Sequence, residues 1–418
     1  MARRIGSVVV LGANGAMGAG GGEVFAAAGI DTVFLARTRD KAQKGKLHAE
    51  KMAKSEALGA HITVGSYDED LARVIPGADL IYEAVSEDLS LKRGYFEHID
   101  KLRKPDSIVA TVSSGLSIAG MCAGRSESFR RHFLGIHFFN PPNVIVGCEL
   151  IPHAGTDLAV TRDMSDLLAG KLGRELVRTS DTPAFCGNRV GFKVLNECAQ
   201  LAAEWSAEYV DALIGPHTGR AMAPLATIDF VGWDVHQAIV DNVYANTKDE
   251  AHAAFALPEY MSRLMSEGVL GDKNGTGFSQ MKKEAKKPLE APELARKMSA
   301  LHRVGRYAQA MELFATASGV DAERMRRVIL GYLSYALNRV GEVVESVADV
   351  DRIMGFGFNW APPGVLVDLI GARRTVELLE AARLPVPRAV IAAAERNQKL
   401  FTAPHVDIGR FFVAGGAK

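Results

Sequence analysis

The segment Gly135-Ile136-His137-Phe138-Phe139-Asn140-Pro141-Pro142, with Glu149 twelve residues after His137, is the part of this chain best suited to proton transfer. A histidine flanked by aromatic rings is partly shielded from water, and a carboxylate within reach fixes its tautomer. Such a pair can take the proton of an alcohol while a hydride leaves the same carbon, which is what a dehydrogenase requires. The same residues also fit a core histidine at a strand end beside an unrelated surface glutamate.

Upstream, Gly12-Ala13-Asn14-Gly15-Ala16-Met17-Gly18 follows the apolar run 8–11 and opens an Ala/Gly-rich helix. Glycines allow the tight turn and the close approach of backbone to a pyrophosphate, and the helix N-terminus adds N–H groups and positive partial charge. The usual pattern is G-x-G-x-x-G; here Gly15 and Gly18 keep the last two positions, Ala13 takes the first and Gly12 stands one residue earlier. Strand, loop and helix in that order predict a dinucleotide site built from Gly12, Ala13, Gly15, Ala16, Met17 and Gly18, with a purely structural turn as the alternative. After the second apolar run, 32–36, an NAD site would place an acidic residue to bind the ribose hydroxyls. This chain has Arg37-Thr38-Arg39 instead. Arg37 accepts no hydrogen bond, but it can bind a 2′-phosphate through two parallel bonds, with Thr38 and Arg39 adding to the site. That favours NADP(H); a solvated Arg37 beside an NAD-tolerant site is the alternative.

These groups need a scaffold. Apolar runs at 8–11, 32–36, 79–85, 107–112, 133–139 and 175–179, separated by helical stretches, predict an α/β Rossmann-type, doubly wound parallel sheet over residues 1–184. The Lys/Ala/Glu-rich stretch 40–60 has no wide apolar stripe and is expected to project from the sheet as a helix. Beyond Asp181-Thr182-Pro183 the chain turns helical, with a Lys/Gly/Pro-rich loop and linker at 272–292. The second helical block resembles the first. Leu195-Asn196-Glu197 matches Leu337-Asn338-Arg339, and Ile228-Asp229-Phe230-Val231-Gly232 matches Val367-Asp368-Leu369-Ile370-Gly371, at offsets of 139 to 142 residues. A tandem repeat of two all-α domains, 185–288 and 289–418, is expected, against chance similarity of helical sequences.

Composition narrows the class. Lys+Arg and Asp+Glu both number 49, so no bulk charge points to nucleic acid or a membrane surface. Cys122, Cys148, Cys186 and Cys198 follow no metal-ligand spacing and are too few for a disulfide framework, which fits a reducing cytoplasm. No apolar run approaches a membrane span, and the N-terminus runs into the first strand without room for a signal peptide.

With these motifs in order, the chain resembles the 3-hydroxyacyl-CoA dehydrogenases of fatty-acid β-oxidation over residues 6 to about 280, and its second helical block resembles the repeat of multifunctional β-oxidation proteins. The resemblance rests on the His137 segment with Glu149 and on Asp181-Thr182-Pro183-Ala184-Phe185-Cys186-Gly187-Asn188-Arg189. It rests equally on Gly219-Arg220-Ala221-Met222-Ala223-Pro224 and Gly271-Asp272-Lys273-Asn274-Gly275-Thr276-Gly277-Phe278. It implies oxidation of a (3S)-3-hydroxyacyl-CoA to the 3-oxoacyl-CoA and the reverse. His137 is then the base and acid, and Glu149 its support. Ser114 holds the substrate oxygen, and Asn188 contacts the reacting oxygen or acyl chain from the helical domain. Glu87 and Lys92 would line the nicotinamide end, with Asn140 and Lys273 also touching cofactor. Lys41, Lys44, Lys46, Lys51 and Lys54 are candidates for the CoA phosphates, against a solvated face. The chain departs from the family at Val112, where Asn is usual, and at Arg37, where the family's acidic residue would imply NAD. Association with other β-oxidation enzymes is expected, with monomer and homodimer both open. A dehydrogenase of a free hydroxy acid or sugar acid, and a non-catalytic acyl-CoA-binding subunit, are the other readings.

Overall fold

The computed structural model describes residues 4–280, 289–403 and 406–412. It divides into two compact units, Met1–Phe185 and Cys186–Lys418. The expected boundary near residue 288 and part of the expected linker fall on residues 281–288, outside the described residues. Among the described residues no helix is long and apolar enough to cross a membrane. No cluster of His, Cys, Asp or Glu among them could hold a metal.

The first unit is an eight-stranded sheet in the order β3-β2-β1-β4-β5-β6-β7-β8. Its strands are β1 (Ser7–Leu11), β2 (Asp31–Ala36), β3 (Ile62–Ser66), β4 (Leu80–Glu83), β5 (Ile108–Thr111), β6 (Phe133–Phe138), β7 (Gly147–Pro152) and β8 (Glu175–Arg178). Strands β1 to β6 are parallel; β7 runs antiparallel to β6, and β8 parallel to β7. Alternate residues enter two cores. Val8, Val10, Leu80, Tyr82, Ile108 and Ala110 face one, and Val9, Leu11, Ile81 and Val109 the other. Burial on both faces explains why these strands read as apolar runs. Chain order reverses between β1 and β4, so the loops after these two strands flank the crevice where open α/β sheets bind ligands.

Helix α1 (Ala16–Ala27) follows β1, and α2 (Arg39–Ala53) follows β2. α2 does not project from the sheet. It packs on α1, β2 and β3, burying Ala42, Gly45 and Ala49. A stripe of small residues replaces the wide apolar stripe, and it brings backbone to backbone. A Cβ on Gly45 would stand 2.1 Å from the Ala13 carbonyl oxygen.

In the helical unit one local device occurs twice. The helices Pro224–Val231 and Pro363–Ile370 both begin with proline, whose missing N–H costs nothing there. They end at Gly232 and Gly371, with φ of 99° and 96°. Asp229 accepts from the backbone N–H of Phe278 and Ser279, and Asp368 from those of Leu400 and Phe401. Asp211 accepts from Leu225 and Ala226, while Asp351 accepts from Gly364. The paired sequences Ile228–Gly232 and Val367–Gly371 thus share a conformation and a hydrogen-bonding role.

Candidate active site

The twelve-residue spacing of His137 and Glu149 is a strand register. Chain leaving β6 returns along β7, and the two residues stand directly opposite one another in the ladder. Directly opposed residues share one face of a sheet. The His137 Nδ1 to Glu149 Oε2 distance is 2.6 Å. His137 is 4% exposed and Glu149 not at all, so water competes little for the bond. The imidazole packs against Phe139, ring centroids 4.9 Å apart, and against Phe185 at 5.7 Å. Phe185 reaches it because Ala184 and Phe185 adopt positive φ (59° and 53°), a conformation side-chain-bearing residues rarely hold. The sequence motif around Phe185 was visible; the ring's place against His137 was not. Asp181, from the same motif, accepts from Ser117 and from the backbone N–H of Ile118 and Ala119, fixing the chain that leaves the Ser114 loop.

The glycine loop sits at the β1/β4 crevice. Gly12 has φ of +78°, and a Cβ there would lie 2.2 Å from the Ala84 carbonyl oxygen, so only glycine lets the turn pass. Its N–H donates to the Tyr67 hydroxyl at 2.8 Å, a contact with no signature in the loop itself. α1 carries no side-chain cap and no acidic residue in its first turn, leaving its N-terminus suited to an anion.

At the end of β2, Arg37, Thr38 and Arg39 are all exposed. Thr38 caps α2 by accepting from Lys41 N–H. Arg39 donates to the Val64 carbonyl and to Asp70, at 2.8 and 2.9 Å. Arg37 lies near Tyr95; burial pushes that hydroxyl up, and the Arg37 charge partly offsets the effect. Of the lysines on α2, Lys46 donates to the carbonyls of Gly59 and Ile62 and so acts as a structural clamp.

Ser114 is half-buried on the loop after β5, and its backbone N–H donates to Glu87 at 3.0 Å. Lys92 is fully buried. Its ammonium lies 2.8 Å from Glu83 and 3.4 Å from Glu87. Asn140 is exposed at the start of the β6–β7 loop. Asn188 and Lys273 belong to the helical unit. Asn188 is buried in the first turn of the helix Gly187–Trp205, and the exposed Lys273 pairs with Asp234 at 2.5 Å. The sheet therefore lines up along one edge the glycine loop after β1, Glu87 after β4, Ser114 after β5 and His137 near the end of β6. Glu83, Thr111 and Ser113, unmarked by any motif, also belong to that edge.

Residues 7–182 match the family model for the 3-hydroxyacyl-CoA dehydrogenase NAD binding domain, and residues 185–281 match that for the 3-hydroxyacyl-CoA dehydrogenase C-terminal domain. A probable 3-hydroxyacyl-CoA dehydrogenase of Bacillus subtilis is 31% identical over 82% of this chain, which spans only 45% of that relative's length. The mitochondrial hydroxyacyl-coenzyme A dehydrogenase of Sus scrofa is 30% identical over 66% of this chain and 91% of its own. The crystal structure of 3-hydroxybutyryl-CoA dehydrogenase from Escherichia coli superposes with a TM-score of 0.74 over 94% of this chain and 99% of that one. At 22% identity this is a likeness of fold.

Proposed function

The chain belongs to the 3-hydroxyacyl-CoA dehydrogenase family, and from that premise we propose that it interconverts (3S)-3-hydroxyacyl-CoA and 3-oxoacyl-CoA with a nicotinamide cofactor in the cytoplasm. The observation that carries the reading is the buried, cross-strand His137–Glu149 pair. An ionised carboxylate only accepts, so the shared proton belongs to Nδ1 and the lone pair to Nε2. In oxidation Nε2 takes the substrate hydroxyl proton; in reduction it returns one to the ketone oxygen. Glu149 supports the imidazolium formed in between. Ser114 holds the substrate oxygen, and Asn188 is the fourth residue we assign to catalysis.

The glycine turn against Ala84 and the uncapped start of α1 fit a dinucleotide pyrophosphate. Gly12, Ala13, Gly15, Ala16, Met17 and Gly18 would hold it, with Glu87 and Asn140 toward its reactive end and Lys92 acting through Glu87; Lys273 is a further cofactor contact in our reading. When bound, the cofactor supplies the hydride chemistry. The family domain binds NAD; our reading adds a preference for NADP(H). Arg37 offers a planar donor fork where an acidic residue would bind the ribose diol, while Arg39 is engaged with Asp70.

Kinetics with 3-hydroxybutyryl-CoA and acetoacetyl-CoA, each with NAD(H) and NADP(H), test both parts. His137→Ala should lower kcat roughly 10²–10⁴-fold, the span expected of a lost general base. Arg37→Asp should swing the preference toward NAD(H). Wild-type activity with NAD(H) alone would keep the reaction and remove the 2′-phosphate argument. Inactivity on both thioesters with either cofactor would overturn the assignment to CoA substrates.

A further inference from the structure

Behind the Ser114 loop lies a closed ring through five residues, four of its links made between side chains and one by the Ser113 backbone N–H. Thr111 Oγ1 donates to Glu83 Oε2 at 2.6 Å and accepts from Ser113 N–H at 3.3 Å. The Ser113 hydroxyl donates to Glu87 Oε1, which also accepts from Ser114 N–H at 3.0 Å. The second Glu87 oxygen lies 3.4 Å from the Lys92 ammonium. Lys92 closes the ring on Glu83, at 2.8 and 3.0 Å from its two oxygens. Val85 N–H anchors Glu83 Oε1 at 2.7 Å. Glu83, Lys92 and Thr111 have no exposed surface and Ser113 only 1%. The one exposed member is Glu87, with 43% of its side chain open.

From this ring we infer that Glu83 is a positioning residue for Ser114, an inference that rests on the proposed reaction. Glu83 has no exposed surface, so its side chain can act only through its neighbours. It reaches the Ser113–Ser114 turn by two routes, one through Thr111 and one through Lys92 and Glu87. Two routes to one turn fix the turn in both translation and tilt, and a reacting group displaced by about 1 Å can lose roughly 100-fold in rate. The ion pair matters to direction. Without the Glu83 charge, the buried Lys92 ammonium has only Glu87 as a counter-ion, and Glu87 is drawn off the Ser114 N–H. Lone burial of one partner is also costly, so charge-neutral breaks of the ring are needed beside the charge-changing one.

The test compares Glu83→Gln, Thr111→Val, Ser113→Ala and the double variant Glu83→Gln/Ser113→Ala in the full chain. With acetoacetyl-CoA, each folded single variant should lose tenfold to a hundredfold in kcat with KM changed by less than about threefold. The double variant should lose less than the product of the two single losses, because both substitutions act on one connected ring. Hydrogen exchange of the peptide carrying residues 112–117 should quicken in every variant, a readout independent of whether CoA thioesters are substrates. Exchange unchanged from wild type would overturn the ring's role. So would kcat within twofold of wild type, or losses that multiply in the double variant. If Glu83→Gln fails to fold, Thr111→Val and Ser113→Ala decide the same question with all charges in place. An inactive wild type with quickened exchange in the variants would reject the substrate and keep the ring.

Discussion

The chemistry at His137 depends on which nitrogen carries the proton, and Glu149 decides that. Replacing Glu149 by Gln keeps size and a hydrogen bond but offers either a donor or an acceptor to Nδ1. When the Gln amide donates, the imidazole proton moves to Nε2, and the ring can no longer act as a base toward the substrate. The support for the imidazolium is lost in either orientation. Glu149→Gln is therefore expected to lower kcat by roughly 10²-fold or more, the lower range for loss of acid–base assistance, with KM little changed. Steady-state kinetics beside Kd values for the cofactor would check it. A proportional rise in KM with kcat intact would place Glu149 in binding instead. The pair was legible in sequence because His and Glu carry their chemistry in their names and stand a hairpin's length apart. Glu83 was not, because its meaning comes from Thr111 and Lys92, which pairing of β4 with β5 and the turn of the following helix bring to it.

At the scale of elements, legibility followed apolar content. Strands buried on both faces announced themselves as Val/Ile/Leu runs, and the glycine loop followed the first of them. β3 did not, because Ile62-Thr63-Val64-Gly65-Ser66 alternates only weakly and is an edge strand of the sheet. β7 did not either: Gly147 and Pro152 bound a strand whose apolar run is broken by a buried carboxylate. α2 is legible as a helix but not as a packed one, because its buried face is made of the small residues Ala42, Gly45 and Ala49. That face connects α2 to the cofactor loop. A methyl group at Gly45 meets the Ala13 carbonyl at 2.1 Å, a backbone atom that cannot swing aside. Gly45→Ala should therefore push α2 and the loop apart, at about 1–3 kcal/mol of stability, as for an overpacked core. Cofactor affinity should fall by tenfold or more while far-UV circular dichroism keeps its wild-type shape. An unchanged cofactor Kd in fluorescence titration would show that the loop does not feel α2.

Across the molecule, stability against pH should be set in the helical unit, where three titratable groups are buried in unlike ways. Burial lowers His217 to about 4 and His236 to about 3, so both fold as neutral imidazoles. Burial, with Asp368 nearby, raises Asp351 to about 8, and one of its oxygens has no hydrogen-bond partner among the described residues. A histidine lowered below its unfolded value of about 6.5 costs stability as pH falls below that value. A carboxyl raised above its unfolded value of about 3.9 costs stability as pH rises from there to its folded value. Between about pH 4 and 6.5 the unfolded chain binds two protons at these two histidines and the folded chain one at Asp351, so these three groups make stability rise with pH by about 1.4 kcal/mol per unit, and His302, also lowered by burial, steepens the rise. Between about 6.5 and 8 only Asp351 differs, and stability falls at about the same slope. A maximum near pH 6.5 follows. Trp205, Trp233 and Trp360 are the three tryptophans, and all lie in the helical unit. Urea denaturation followed by tryptophan fluorescence at pH 4.5, 6.5 and 8.5 therefore reports on that unit within the intact chain. Asp351→Asn, which keeps an acceptor for Gly364 N–H, should abolish the fall above pH 6.5 and leave the acid limb in place. A wild-type profile that stays level from 6.5 to 8.5 would mean that Asp351 folds as a carboxylate with a partner of its own.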